Sequence, residues 1–252
     1  MFDLSGRVAV VTGGNGGIGL AMATGLAKAG AEIAIFGRRK DRNEDAQARL
    51  SALGVKVSAV EVDVTDEGSV ASGLDAVMAE HGALHILINN AGTNERKLPQ
   101  DYSLSEWNSL INVNLTSAFI VSVAAHPHLA RSGGGKIINI GSMLSIFGNA
   151  RAAPYAAAKG GIVQMTKSLA QAWAEDNIQV NAILPGWIET DLTAVAKVQI
   201  PRLDENVLNR TPQKRWGKPD DLAGAAVFLA SPASDFITGT ALPVDGGYSS
   251  NT

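Results

Sequence analysis

The chain has 252 residues, 46% hydrophobic and 18% charged, with a net charge of −3; this is the balance of a globular protein with a large core, not of a disordered chain. Its 21 Lys and Arg are scattered and outnumbered by 24 Asp and Glu, which argues against nucleic acid as a partner. The absence of cysteine excludes disulfides, thiolate catalysis and cysteine-ligated metal, and suits a reducing cytoplasm.

One domain over 1–252 is expected at this length, without repeats or a linker-like shift in composition. The N-terminus lacks a cationic start and a cleavage site, and no apolar stretch reads as long enough to span a bilayer, so neither export nor a membrane partner is expected.

Taken in chain order, the first β-branched run, 8–12, leads into "TGGNGGIG" at 12–19 and then a helical pattern. Gly13, Gly17 and Gly19 let backbone amides and a helix N-terminus approach a pyrophosphate, or they make a plain glycine turn. The second run, 31–36, ends at Gly37, where a dinucleotide site for NAD would carry an acidic residue on the ribose. Arg38 and Arg39 follow instead. A guanidinium binds a 2′-phosphate, so NADP is favoured and NAD remains possible; the same arginines also suit the start of a charged helix.

The third run, 55–62, is followed by Asp63, which either receives the adenine amino group or caps the next helix. The fourth, 84–89, ends in "NNAG" at 89–92, whose asparagines can tie strands together while Gly92 leaves room for a cofactor. Helical sequence then carries Asn114, and later Pro127 between His126 and His128, where the helix should end or kink. None of the four histidines shows a metal-ligand motif, and no metal is expected.

After the fifth run, 135–140, comes Ser142 in "GSMLS", and then a helix from 153 that opens with Tyr155 and Lys159. Four residues apart, these two share a helix face, and an ammonium there would lower the phenol's pKa toward working pH. Ser142 could bond the substrate oxygen, and Asn114 could hold a relay water. The sixth run, 178–184, precedes "PGWIET", and 186–216, with two prolines and little clear period, reads as a substrate lid. The seventh is 241–244.

Seven runs apolar on both faces, alternating with helices, predict a doubly wound α/β fold with a parallel sheet and a ligand crevice at the strands' carboxyl ends. The unusual residues all fall there.

The glycine motif, "NNAG", Asn114, Ser142, the Tyr155/Lys159 pair, "PG" at 185–186 and "VDGG" at 244–247 together resemble the short-chain dehydrogenase/reductase family over essentially the whole chain. The resemblance implies a seven-stranded Rossmann sheet and hydride transfer between nicotinamide C4 and an alcohol or ketone. It implies Tyr155 as acid or base, Lys159 on the nicotinamide ribose, Ser142 on the substrate oxygen and Asn114 in the relay. It also puts Asn15, Ile18, Asp63, Val64, Asn90, Ala91, Gly92, Pro185, Gly186, Ile188 and Thr190 against the cofactor, and a homotetramer built through the helices at 105–130 and 153–176. Gly16 stands where many NADP-using members carry a cation, which leaves the phosphate to Arg38 and Arg39. A dinucleotide-sensing binding protein without turnover would be expected to lack Tyr155 or Lys159.

The stretches around Ser142 and around Arg215–Gly217 look most like the gluconate 5-dehydrogenase and 2-deoxygluconate 3-dehydrogenase branch. Arg96, Lys97 and Arg151 could receive a sugar acid's carboxylate. Met143, Leu144, Ile146, Phe147 and Trp187 would instead suit a bulkier apolar ketone, with a 3-oxoacyl-thioester reductase as the rival reading.

Overall fold

Residues apolar on both faces are stable only between two helical layers, and each of the seven runs forms a strand. In this computed structural model, which describes residues 1–251, the strands are β1 (Val8–Thr12), β2 (Glu32–Gly37), β3 (Val57–Glu61), β4 (Ile86–Asn89), β5 (Gly135–Ile140), β6 (Ile178–Pro185) and β7 (Ala241–Val244). All pair in parallel, in the order β3-β2-β1-β4-β5-β6-β7. The order reverses between β1 and β4, which opens a crevice at their carboxyl ends. The register aligns Val11 with Ile88 and Ile88 with Ile138, so the motif-bearing ends of three strands lie level.

The helices are α1 (Gly17–Lys28), α2 (Lys40–Ser51), α3 (Glu67–His81), α4 (Leu104–Ile111), α5 (Ser117–Arg131), α6 (Ala153–Ala172), α7 (Asp191–Gln199), α8 (Leu203–Arg210) and α9 (Ala223–Ala230). Strand residues alternate between two cores. Ala9, Val11, Ile33 and Ile35 pack with Met22, Leu26, Leu50 and Leu229 on one face. Val8, Val10, Ala34 and Phe36 pack with Val70, Leu74, Val121 and Leu169 on the other.

Three expectations change in the structure. α4, a five-residue π turn (Asn112–Thr116) and α5 form one continuous helix, Leu104–Arg131, which by length and composition is apolar enough to cross a membrane. Polar residues interrupt the apolar run in sequence, but continuity through the π turn brings it to 28 residues. Leu110, Ala118, Val121, Ala125 and Leu129 of this helix are buried in the protein. Pro127 does not stop α5, which continues to Arg131.

The 186–216 segment is not irregular. It holds α7 and α8, joined at Pro201, and these close on a small core of Ala196, Leu203, Val207 and Trp216, with Trp187, Ile200 and Leu208 against it. Helices of nine and eight residues, separated by a proline, are too short to show their period in sequence.

Candidate active site

β1 ends in a turn that only glycine allows. Gly13 and Gly17 take φ of +62° and +50°, and a Cβ on Gly19 would stand 2.3 Å from the Gly13 carbonyl oxygen. Gly19 therefore lets α1 close onto the turn and does not itself line the cleft, whereas Gly13, Asn15, Gly17 and Ile18 do. No side chain caps α1 at Gly16, so its first amides remain available to a phosphate.

The "NNAG" asparagines tie strands, as expected. Asn89 Nδ2 donates to Asn139 Oδ1 and Ser122 Oγ, both at 2.8 Å. Asn90 Nδ2 donates to the Thr12 carbonyl at 3.0 Å, while Thr12 Oγ1 accepts from the amides of Asn90 and Ala91. With Gly92, Asn90 and Ala91 form the cleft floor.

At the end of β2 a Cβ on Gly37 would strike the side chains of Asn15 and Asn43. Asn15 Nδ2 donates to Asn43 Oδ1, and Asn43 Nδ2 to the Gly37 carbonyl. Arg39 lines the cleft; Arg38 does not, its guanidinium lying outside, 3.9 Å from Asp63. Asp63 is also off the lining, and its carboxylate receives the Thr65 amide and hydroxyl, which hold it below the usual carboxylate range. Val64 is buried in the core beside Val62 and Val70, with no face on the cleft. A cation the motifs did not flag, Arg42, takes part instead, one helical turn after Arg39.

The residues expected to carry the chemistry meet at the end of β5 and the start of α6. Ser142 stands close enough to Tyr155 for its hydroxyl to favour the phenolate, and its Oγ accepts the Leu144 amide at 3.1 Å. Lys159, 4% exposed, donates from Nζ to the Ile140 carbonyl at 2.7 Å and stands 5.6 Å from the Tyr155 ring centre. Its burial pulls the ammonium down to about 8. The expected lowering of Tyr155 by Lys159 is not what dominates here. Burial pushes the phenol up, opposed by the Ser142 hydroxyl and then by the Arg96 charge.

Asn114 sits in the π turn, a helix irregularity common at functional sites. Its Nδ2 donates to the carbonyls of Thr93 and Leu110, and Oδ1 accepts the Thr93 amide. It fixes the loop after β4 from beneath, and a Cβ on Gly92 would lie 2.8 Å from its Oδ1. Ser145, which no motif singled out, accepts the Ser142 amide and donates to the Lys159 carbonyl at 2.7 Å, joining two of the expected site residues.

A cavity of about 540 Å³ is lined by all four residues expected to react, and by Pro185, Gly186, Ile188 and Thr190. Met143, Leu144, Phe147 and Trp187 line it, whereas Ile146 is exposed on the outside. Of the three cations expected at the substrate mouth, only Arg96 faces the cavity. Lys97 is held by Glu95 and Glu106, which raise its pKa, and Arg151 is exposed. Asn94, Arg210 and Tyr248 also line the cavity. They lie in unmotifed stretches or far along the chain, and no spacing could have joined them.

The left-handed glycines, the uncapped helix N-terminus and the arginines beyond β2 fit a dinucleotide. Residues 13–249 match the family described as Enoyl-(Acyl carrier protein) reductase. The chain is 40% identical to the gluconate 5-dehydrogenase of Gluconobacter oxydans (strain 621H), over 98% of this chain and 96% of that one. It is 42% identical to the 2-dehydro-3-deoxy-D-gluconate 5-dehydrogenase of Escherichia coli (strain K12), over 98% and 97%. A solved gluconate 5-dehydrogenase from Burkholderia cenocepacia J2315, in complex with NADP and tartrate, superposes with a TM-score of 0.95 at 41% identity, covering 100% of this chain and 98% of that one. Fold, cleft and kinship agree that the chain belongs to the short-chain dehydrogenase/reductase family of oxidoreductases.

Proposed function

We propose that the protein is an NADP(H)-dependent oxidoreductase that interconverts a secondary alcohol and a ketone on a sugar acid of the gluconate and ketogluconate type. The observation that carries this reading is Arg96. It faces the cavity with no carboxylate within 4 Å among the described residues, and its charge acts on Tyr155. An unpaired cation beside the acid–base residue favours an anionic substrate. Asn94 Oδ1, shielded from solvent and without a protein partner, offers an acceptor to a sugar hydroxyl.

The glycine turn, the α1 N-terminus, Arg39 and Arg42 would hold the dinucleotide, and Lys159, Pro185, Gly186, Ile188 and Thr190 its nicotinamide half. Bound there, the nicotinamide supplies or accepts the hydride at C4. Tyr155 delivers a proton to the carbonyl oxygen in reduction and takes it from the hydroxyl in oxidation. Ser142 holds that oxygen and the phenol together, so the proton has a short fixed path. Asn114 keeps the β4 loop in place for both.

The exposed apolar side chains Trp107, Phe119 and Val123 on α4 and α5 support assembly through these helices, as a homotetramer. A chain without cysteine suits work in the cytoplasm.

Initial rates with D-gluconate and 5-keto-D-gluconate, each with NADP(H) and NAD(H), test the reading. Turnover of a sugar acid with NADP(H), lost about 10²–10⁴-fold in Tyr155→Phe, is expected. The apolar wall of Met143, Leu144, Phe147 and Trp187 favours a second reading, a 3-oxoacyl-thioester reductase. Activity on acyl thioesters with none on sugar acids would establish that one instead.

A further inference from the structure

At the end of α8, Arg210 enters the same cavity as Tyr155. Its guanidinium carbon lies 4.6 Å from the centre of the Phe147 ring and 4.3 Å from that of Tyr248. The two rings meet edge to face, 6.2 Å apart. All three side chains are half-buried. No carboxylate lies within 4 Å of Arg210 among the described residues, although Arg202 and Arg215, in the same region, each have one.

A guanidinium lodged against aromatic faces is held in place without using its N–H groups. Here the faces come from two distant parts of the chain. Phe147 ends the turn that Ser142 begins, its amide bonded to the Met143 carbonyl. Tyr248 comes from the segment after β7, which is tied back to α8 by Asn251 Nδ2 donating to the Arg210 carbonyl at 2.9 Å. The result is an oriented cation, partly withdrawn from water, with donors not spent on protein carboxylates.

Such a group suits a planar anion that accepts two parallel hydrogen bonds. Arg96 already acts electrostatically on Tyr155, at the reacting end of the substrate. We propose that Arg210, held between Phe147 and Tyr248, is the receptor for the substrate's carboxylate, setting the preference for sugar acids over uncharged sugars. The proposal rests on the sugar-acid reading above. It assigns recognition of the non-reacting end to a residue outside the Ser142, Tyr155 and Lys159 group.

The test uses 5-keto-D-gluconate and L-sorbose, which presents the same carbon skeleton with a hydroxymethyl group in place of the carboxylate. For each, kcat/KM is measured with NADPH in the wild type, Arg210→Gln and Arg210→Lys. In Arg210→Gln the ratio of acid to sorbose is expected to fall about 30-fold, mainly through KM for the acid. Arg210→Lys, which keeps the charge but not the planar fork, should recover only part of it.

An undiminished ratio in Arg210→Gln overturns the assignment of Arg210 and leaves the sugar-acid reading standing. Equal losses on both substrates show that Arg210 only braces α8 against Phe147 and Tyr248, which also overturns it. A wild type that turns over L-sorbose as well as the acid removes the sugar-acid reading and this proposal with it. Should Arg210→Gln not fold, Arg210→Lys and Phe147→Leu decide the matter: an unchanged ratio in both rejects the proposal, and a fall in both supports it.

Discussion

Arg42 Nη1 stands 3.0 Å from Asp191 Oδ2, joining the first turn of α2 to the first residue of α7 across the cofactor side of the cleft. Both side chains are substantially exposed, so the pair adds little to stability. Its importance is that a phosphate group would compete with Asp191 for the same guanidinium. Asp191→Asn removes the competitor. Fluorescence titration should show NADPH binding tightened about threefold at low ionic strength, fading as salt is added, with a smaller change for NADH. Equal tightening of both would place Arg42 on the pyrophosphate instead of the 2′-phosphate.

The two arginines after β2 should separate sharply in function. Arg39 faces the cleft while Arg38 points to Asp63 outside it. Arg39→Ala is expected to lower the NADPH to NADH preference, read as a ratio of kcat/KM, on the order of 10- to 100-fold. Arg38→Ala should change it less than about threefold. The reverse ranking would mean that the phosphate draws Arg38 inward on binding.

Lys159 gives a pH signature. In the fold its proton leaves at about 8, against 10.5 for the unperturbed side chain. Below the first value both folded and unfolded chains carry the charge, and the fold bears the full cost of burying it. Between the two values the unfolded chain binds the extra proton, so wild-type stability rises with pH, and above both the cost is gone. Lys159→Met should therefore be inactive yet melt ~5 °C above the cofactor-free wild type near pH 6.5, the gap closing toward pH 10.5. A gap constant with pH would contradict the buried charge.

Ser145 braces Ser142 and Lys159, both assigned to the proposed mechanism, without itself lining the cavity. Ser145→Ala releases the Ser142 amide and the Lys159 carbonyl together. The expected result is kcat reduced about tenfold with KM for NADPH within twofold, and partial recovery in Ser145→Thr, which restores the hydroxyl. A rise in KM for NADPH with kcat intact would move the residue's effect from Ser142 to the cofactor wall.

What could be read from the chain and what could not divides along physical lines. The strands were legible because burial on both faces writes itself as continuous β-branched runs, and β1, β5 and β7 fall on the expected residues. Gly13, Asn90, Ser142, Tyr155 and Lys159 were legible because each follows a strand end or shares a helix face. The π turn at Asn114 was not, since its residues continue a helical pattern without a break. Arg210 and Tyr248 meet Phe147 only once α8 and the β7 segment fold over the cleft. The direction of the Tyr155 shift depends on burial, which spacing on a helix does not encode.

The small core of the α7–α8 segment has an optical consequence. Of the four tryptophans, Trp187 and Trp216 stand edge to face in that segment, 5.6 Å apart, with the Lys197 ammonium 4.2 Å from the Trp216 ring centre. Trp107 and Trp173 belong to α4 and the end of α6. Indole emission depends on its immediate charge and packing, so the Trp187 ring and the Lys197 ammonium set the surroundings in which Trp216 emits. With Trp107 and Trp173 replaced by Phe, the segment becomes its own spectroscopic probe, and its arrangement around any ligand can be followed in solution without an attached dye.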